Sequence, residues 1–244
     1  MTFEQHDTVG KRYSGGDYAK ANPTWDIEDS PWKARLVAGM LQRHGVEPDS
    51  IVEVGCGAGG VLAALRPLLP RTRLRGYDIA TDAAAFWPSH ATSNIDFRLG
   101  HFNVIDNDHY DVLLLLDVLE HVSDPFDFLT RLRRHGDHYV FHVPLDLSAI
   151  SVLRETPLLH VRHKVGHIHY FTKGLALALL SECGYSVVEA SYTGAALSAP
   201  SRTWQTTLAR LPRRLARLLL GLDRGVRLVG GETLLILARD KGAT

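Results

Sequence analysis

Cysteine is scarce in this chain of 244 residues: only Cys56 and Cys183 occur, too few and too far apart for a disulfide framework or a cysteine-spaced metal site. That scarcity suits a reducing compartment. An excess of either charge is missing too, with 27 Lys plus Arg against 27 Asp plus Glu, so no whole-protein field draws in nucleic acid or an anionic bilayer. Long apolar runs are absent, because Asp117 and then Arg210, Arg217 and Arg224 interrupt the best candidates for a membrane span. Residues 1–30 lack the apolar core of a secretory signal. No repeat or low-complexity linker divides the chain. These absences point to a soluble, cytoplasmic chain, long enough for one large α/β domain and short for two.

What is present begins at Ile51, where short apolar runs start to alternate with amphipathic stretches, as βαβ units do. The pattern predicts strands near 51–55, 73–78, 95–99, 111–116, 138–143, 186–192 and 232–239. Helices are predicted near 34–44, 59–69, 81–87, 124–135 and 173–183, with Gly184 capping the last. The most specific segment is Val-Glu-Val-Gly-Cys-Gly-Ala-Gly-Gly at 52–60. A buried strand breaks there into four glycines, which let the backbone turn sharply and approach a ligand that a β-carbon would repel.

Gly55, Gly57 and Gly60 also fit the spacing of dinucleotide-binding Rossmann proteins, and an acid at the end of the next strand, Asp78, serves either reading. Two features separate them. Glu53 stands where dehydrogenase fingerprints usually carry an apolar residue, and Tyr110 to Pro125 reads Tyr-Asp-Val-Leu-Leu-Leu-Leu-Asp-Val-Leu-Glu-His-Val-Ser-Asp-Pro. Both resemble the class I S-adenosylmethionine (SAM) methyltransferases, and the second resembles their ubiquinone-pathway O-methyltransferase branch. The resemblance implies an α/β, Rossmann-like, seven-stranded and mostly parallel sheet with helices on both faces and an antiparallel last strand. It implies SAM as cofactor, with Glu53, Gly55, Cys56, Gly57 and Gly59 at its methionine end. Asp78 is then expected at the ribose hydroxyls, Ile79 at the adenine face, and Leu116 and Asp117 in the pocket wall. After the third strand many relatives carry an acid for the adenine amino group. This chain has Leu99-Gly100-His101-Phe102-Asn103 instead, leaving His101 or Phe102 to line that pocket.

Asp117, Glu120 and His121, followed downstream by Gly-His-Ile-His-Tyr-Phe-Thr at 166–172, resemble the Glu-x-x-Glu-His metal segment of some relatives. Carboxylate and imidazole donors suit a divalent ion such as magnesium, with Asp117, Glu120, His121 and His167 as candidate ligands. Without a metal, His167 or His169 is the expected general base, and His142 with Asp146 at the end of the fifth strand is a second candidate. Two regions lie outside the family pattern. Residues 1–33 carry Tyr13, Tyr18, Trp25 and Trp32 among glycines and prolines and read either as a lid over the cofactor or as aromatics packed on the sheet edge. Residues 195–231 form an insert whose leucines recur at helical spacing among Arg210, Arg213, Arg214 and Arg217; a substrate cap, a dimer contact, an acidic lipid surface and an ordinary surface helix all fit it. The expected activity is methyl transfer to a small-molecule acceptor, preferably a hydroxyl oxygen. An amine acceptor, a NAD(P)-binding reductase and an inactive scaffold are the alternatives. Nucleic acid is disfavoured as a partner, and homo-oligomerisation is left open.

Overall fold

The computed structural model describes residues 17–90, 95–102, 106–194 and 210–242. Seven strands form one sheet: β1 (Ser50–Val54), β2 (Arg73–Asp78), β3 (Ile95–Leu99), β4 (Tyr110–Leu116), β5 (Gly136–Leu145), β6 (Tyr185–Tyr192) and β7 (Glu232–Asp240). Their spatial order is β3-β2-β1-β4-β5-β7-β6. The ladders among β1 to β5 are all parallel, whereas β7 runs antiparallel to both neighbours, β5 and β6. This is the expected sheet. Strand order reverses between β1 and β4, and in open α/β sheets ligands gather at the carboxyl ends on either side of such a switch.

The helices are α1 (Asp17–Ala21), α2 (Ser30–Arg43), α3 (Gly60–Leu65), α4 (Thr81–Ala84), α5 (Trp87–His90), α6 (Pro125–Leu132), α7 (Ala149–Arg154), α8 (Thr156–Lys164), α9 (Lys173–Glu182), α10 (Arg210–Leu220) and α11 (Leu222–Val229). Starts follow local chemistry: the Asp124 side chain accepts the Asp127 amide ahead of Pro125, and Thr172 accepts the Leu175 amide. The helix expected over 81–87 is two short pieces, α4 and α5. The one expected over 59–69 ends at Leu65, short of Pro67 and Pro70. Helices α7 and α8 were not anticipated, and the insert contains a helical hairpin rather than a single helix.

Alternation along β1 and β4 distributes side chains to two cores. Val52, Val54, Leu113 and Leu115 join Tyr139, Phe141 and Leu180 on one face; Ile51, Leu114 and Leu116 join Ala34, Val37 and Leu41 of α2 on the other. Glu53 alternates onto the α2 face as well, and that places an acid inside a core.

Gly76, mid-strand in β2, leaves room for what lies above it: an added β-carbon would stand 2.8 Å from Cys56 Sγ and 2.9 Å from both Leu62 Cδ1 and Phe97 Cδ1. Gly76→Ala is expected to lower unfolding free energy by about 1–3 kcal/mol through overpacking, read as a shifted urea midpoint at unchanged slope.

Candidate active site

At the carboxyl end of β1 the backbone amides of Gly55 and Cys56 both donate to the Tyr77 carbonyl, at 2.8 and 2.9 Å. Gly57 and Gly59 then take left-handed φ of 51° and 79°, angles that a side chain disfavours. Asp78, at the end of β2, clamps the loop: its Oδ2 accepts the Gly57 amide at 2.7 Å and its Oδ1 accepts the Ala80 amide at 2.8 Å. The Trp87 indole N–H donates to the Gly57 carbonyl at 2.8 Å. Burial raises the Asp78 carboxyl above its ordinary range, opposed by those amides.

The N-terminal segment lies on this loop. Ring carbon Cε3 of Trp25 comes within 3.6 Å of where a Gly57 β-carbon would sit, and Ser30 Oγ and Ile27 Cγ1 stand 2.4 and 2.8 Å from that of Gly60. Tyr18 packs on Trp25 with centroids 4.7 Å apart. Trp25 and Asp26 each hold φ of 52°, a conformation costly for bulky side chains. Tyr13 lies outside the described residues.

Beneath the loop, Glu53 is 2% exposed and its Oε2 has no hydrogen-bond partner. Burial pushes its carboxyl up to about 8; the Lys33 charge pulls the other way, and Asp78 and Asp117 add to the rise. Lys33 of α2 reaches Asp117 Oδ2 at 2.6 Å, while His142 Nδ1, at the end of β5, meets Asp117 Oδ1 at 2.6 Å. Asp117 itself has φ of 56°. Its burial opposes ionisation, but the charges of His142 and Lys33 and their hydrogen bonds hold the carboxyl well below the usual carboxylate range. Lys33 is correspondingly raised, its own burial outweighed by Asp117. The His142 Nε2 is buried without a partner, and Trp32 meets that ring edge-on at 5.8 Å.

A second group forms one turn further on. Glu120 is fully buried, and neither carboxylate oxygen has a hydrogen-bond partner. His121 Nε2 and His167 Nε2 approach its Oε1 at 3.8 and 4.0 Å. Each imidazole is oriented from behind: His121 Nδ1 by the Gly166 carbonyl at 3.2 Å, and His167 Nδ1 by Asp146 Oδ2 at 2.6 Å. Burial first, then the charge of Asp117, raises Glu120 well above the carboxylate range.

Several expected residues are placed otherwise. Asp117 is not among the grouped ligands, since Lys33 and His142 take its oxygens. His169 donates from Nε2 to the Val122 carbonyl at 2.9 Å, which anchors its ring. Phe102 is a core residue edged by Tyr77 and His135, and His101 is exposed. Cys56 faces Gly76 across the sheet, so the loop offers its backbone rather than its thiol. Ile79 is half-buried and Leu116 buried. Lys33 was missed as a site residue, although its place at the start of an amphipathic helix was the available signal.

A family model described as a methyltransferase domain matches residues 31–190. The chain belongs to this methyltransferase family. The matched span runs from α2 to β6 and holds the glycine loop, Asp117 and the Glu120 group, so the reductase reading falls. A ubiquinone biosynthesis O-methyltransferase from Roseobacter denitrificans is 29% identical over 147 residues, 54% of each chain. A non-reducing polyketide synthase of Emericella nidulans is 37% identical over 75 residues, 30% of this chain and 3% of its own. This chain thus spans about half, or far less, of the curated relatives it matches. Among solved structures, the plantazolicin methyltransferase BpumL, determined with S-adenosylhomocysteine (SAH), superposes at a TM-score of 0.63 with 16% identity over 95% of this chain and 94% of its own. Magnesium protoporphyrin IX methyltransferase from Synechocystis, with bound SAH, gives 0.61 and 13% over 95% and 97%. At those identities the likeness is one of fold, and it is the class I methyltransferase fold.

In this methyltransferase domain, Glu53 has a pH signature. Its ordinary value is 4.5 and its folded value about 8, so between those limits the unfolded chain has lost a proton that the folded chain keeps. Stability is present in full below the lower limit and falls as pH rises through the window. Glu53→Gln is expected to flatten that fall and to gain on the order of 2 kcal/mol over wild type above pH 8, measured by denaturant titration at several pH values.

Proposed function

We propose that this protein is a SAM-dependent methyltransferase acting on a small-molecule hydroxyl. The observation that carries the cofactor assignment is the loop at Gly55–Gly59, clamped by Asp78 above a buried, partnerless Glu53 oxygen. A cofactor bearing an ammonium, a sulfonium and a ribose diol complements this site. Glu53 meets the cationic methionine end, Gly57 and Gly59 allow close approach, and Asp78 retains lone pairs for hydroxyls. Trp25, Ile27 and Ser30 close over the loop as a lid, which excludes water and aligns the acceptor.

When bound, the cofactor would supply an electrophilic methyl group on a thioether leaving group, so the residues here need only align an acceptor oxygen and remove its proton. The acceptor proton goes to His167 Nε2, because Asp146 fixes the Nδ1–H and so presents the other nitrogen as the base. His142, whose Nδ1 faces Asp117 in the same way, is the second candidate base when its Nε2 is unprotonated. A partnerless buried carboxylate facing two imidazoles, each held from behind, also fits a divalent cation. In that alternative Glu120, His121 and His167 would hold it, His167 Nε2 would serve as ligand instead of base, and such an ion would ease deprotonation of a bound hydroxyl. An amine acceptor needs neither device, so acceptor profiling with hydroxyl and amine panels separates the two readings.

Calorimetry with SAH tests the assignment: micromolar binding is expected, weakened about tenfold or more by Asp78→Ala and absent for NADH. Affinity for SAH is expected to tighten as pH rises through about 8, because ionised Glu53 favours the ammonium, and to lose that trend in Glu53→Gln. Magnesium or manganese is expected to raise the melting temperature of wild type but not of Glu120→Gln; no shift with any divalent ion would leave the histidine base alone. Under metal-free conditions His167→Ala should cut turnover about 100-fold or more with little change in SAH affinity. Unchanged turnover would remove that base.

A further inference from the structure

The helical hairpin is built the wrong way round for a surface facing water. On α10, Leu215, Leu218, Leu219 and, just beyond it, Leu222 recur at i, i+3, i+4 and i+7, and they are 54, 82, 71 and 47% exposed. The arginine between them points inward: Arg217 Nη2 lies 2.5 Å from Oε1 of Glu232, whose side chain is fully buried. Gly225 of α11 packs directly on the Arg217 backbone, where a β-carbon would come within 2.9 Å of its Cα, so the crossing fixes the leucines outward. Lone exposed leucines need no explanation, but a contiguous stripe does.

Charge narrows what covers it. From residue 213 to 229 there are five arginines and one acid, Asp223, and Asp223 is engaged by the Tyr192 hydroxyl at 2.6 Å and by Lys173 at 3.6 Å. Arg214, Arg224 and Arg227 are exposed beside the leucines. A second copy related by a two-fold axis would set this cationic patch against itself. A nucleic acid would take the arginines and leave the leucines in water. An anionic lipid surface takes both, the leucines in the acyl boundary and the guanidinium groups at the headgroups.

We propose that the outward face of α10 and α11 docks on an anionic lipid surface. The apolar surface continues onto α7, which packs against α11 and exposes Val152 and Leu153. There an apolar cleft of about 490 Å³ is lined by Leu147, Ala149, Val152 and Leu153 with Arg227 beside them. The docked hairpin would therefore hold this cleft at the lipid boundary.

Flotation of the full chain with vesicles tests this. Binding is expected to vesicles of phosphatidylcholine and phosphatidylglycerol in equal parts, to fall with added salt, and to be weak on phosphatidylcholine alone. Leu218→Glu with Leu219→Glu should reduce binding about tenfold or more, and Arg214→Ala with Arg224→Ala several-fold, while melting temperature and SAH affinity stay at wild-type values. Failure of the wild-type chain to float, equal binding to both vesicle types, or unchanged binding by the leucine variant would overturn the proposal. A dimer in light scattering that dissociates in the leucine variant would assign the face to a second copy instead, and retention of RNA through the arginines alone would assign it to nucleic acid.

Discussion

Asp117 is the fixed point of the site. A single carboxylate at the end of β4 holds Lys33 through one oxygen and His142 through the other, each at 2.6 Å, and so joins the first long helix to the two central strands. Lys33 and His142 are what make its ionisation tolerable, for a carboxylate partly removed from water persists only with cations and donors at hand. The left-handed backbone at Asp117 is strain maintained by that network. The neighbouring acids feel it: the Asp117 charge is among the causes that keep the carboxyls of Glu53 and Glu120 protonated beyond their usual range.

The half-buried Asp117 is therefore held ionised, while the buried Glu53 and Glu120 are held neutral, although both feel its charge. Environment sets this division, and under the proposed function it suits a site that receives a cation at one end and removes a proton at the other. Glu53 waits for positive charge from the ligand, and Glu120 waits beside two imidazoles that their neighbours have already aimed.

The strand sequence, the glycine loop and the Glu120–His121 pair were legible because each is local, a run of residues whose period or spacing carries the physics. The contact of Lys33 with Asp117 and His142 was not legible, since three segments meet there only after the sheet forms. The same limit explains Cys56 and Phe102: both stand in the right loops, but side-chain direction depends on Gly76 opposite the one and Tyr77 beside the other. Helix α7 escaped notice because its capping box is built from Ser148 and Ser151, without the glutamate that marks such a start, and because it carries β-branched Ile150 and Val152. Helix α8 buries no residue and so has no apolar stripe to read. The outward leucines of α10 defeat pattern reading more deeply, since a helical period shows that a helix has two faces and not which of them meets water.

The position of β7 between β5 and β6 bears on how the chain reaches this state as it is synthesised. Until residues 232–240 emerge, β5 presents an unpaired apolar edge and β6 has no neighbour in the sheet, so both halves wait on the strand made last. The nascent protein thus carries a sticky margin throughout translation of the arginine- and leucine-rich hairpin. Ribosome stalling or C-terminal trimming in that interval would leave a species prone to aggregate, although the cofactor loop and its acids would already be complete in sequence.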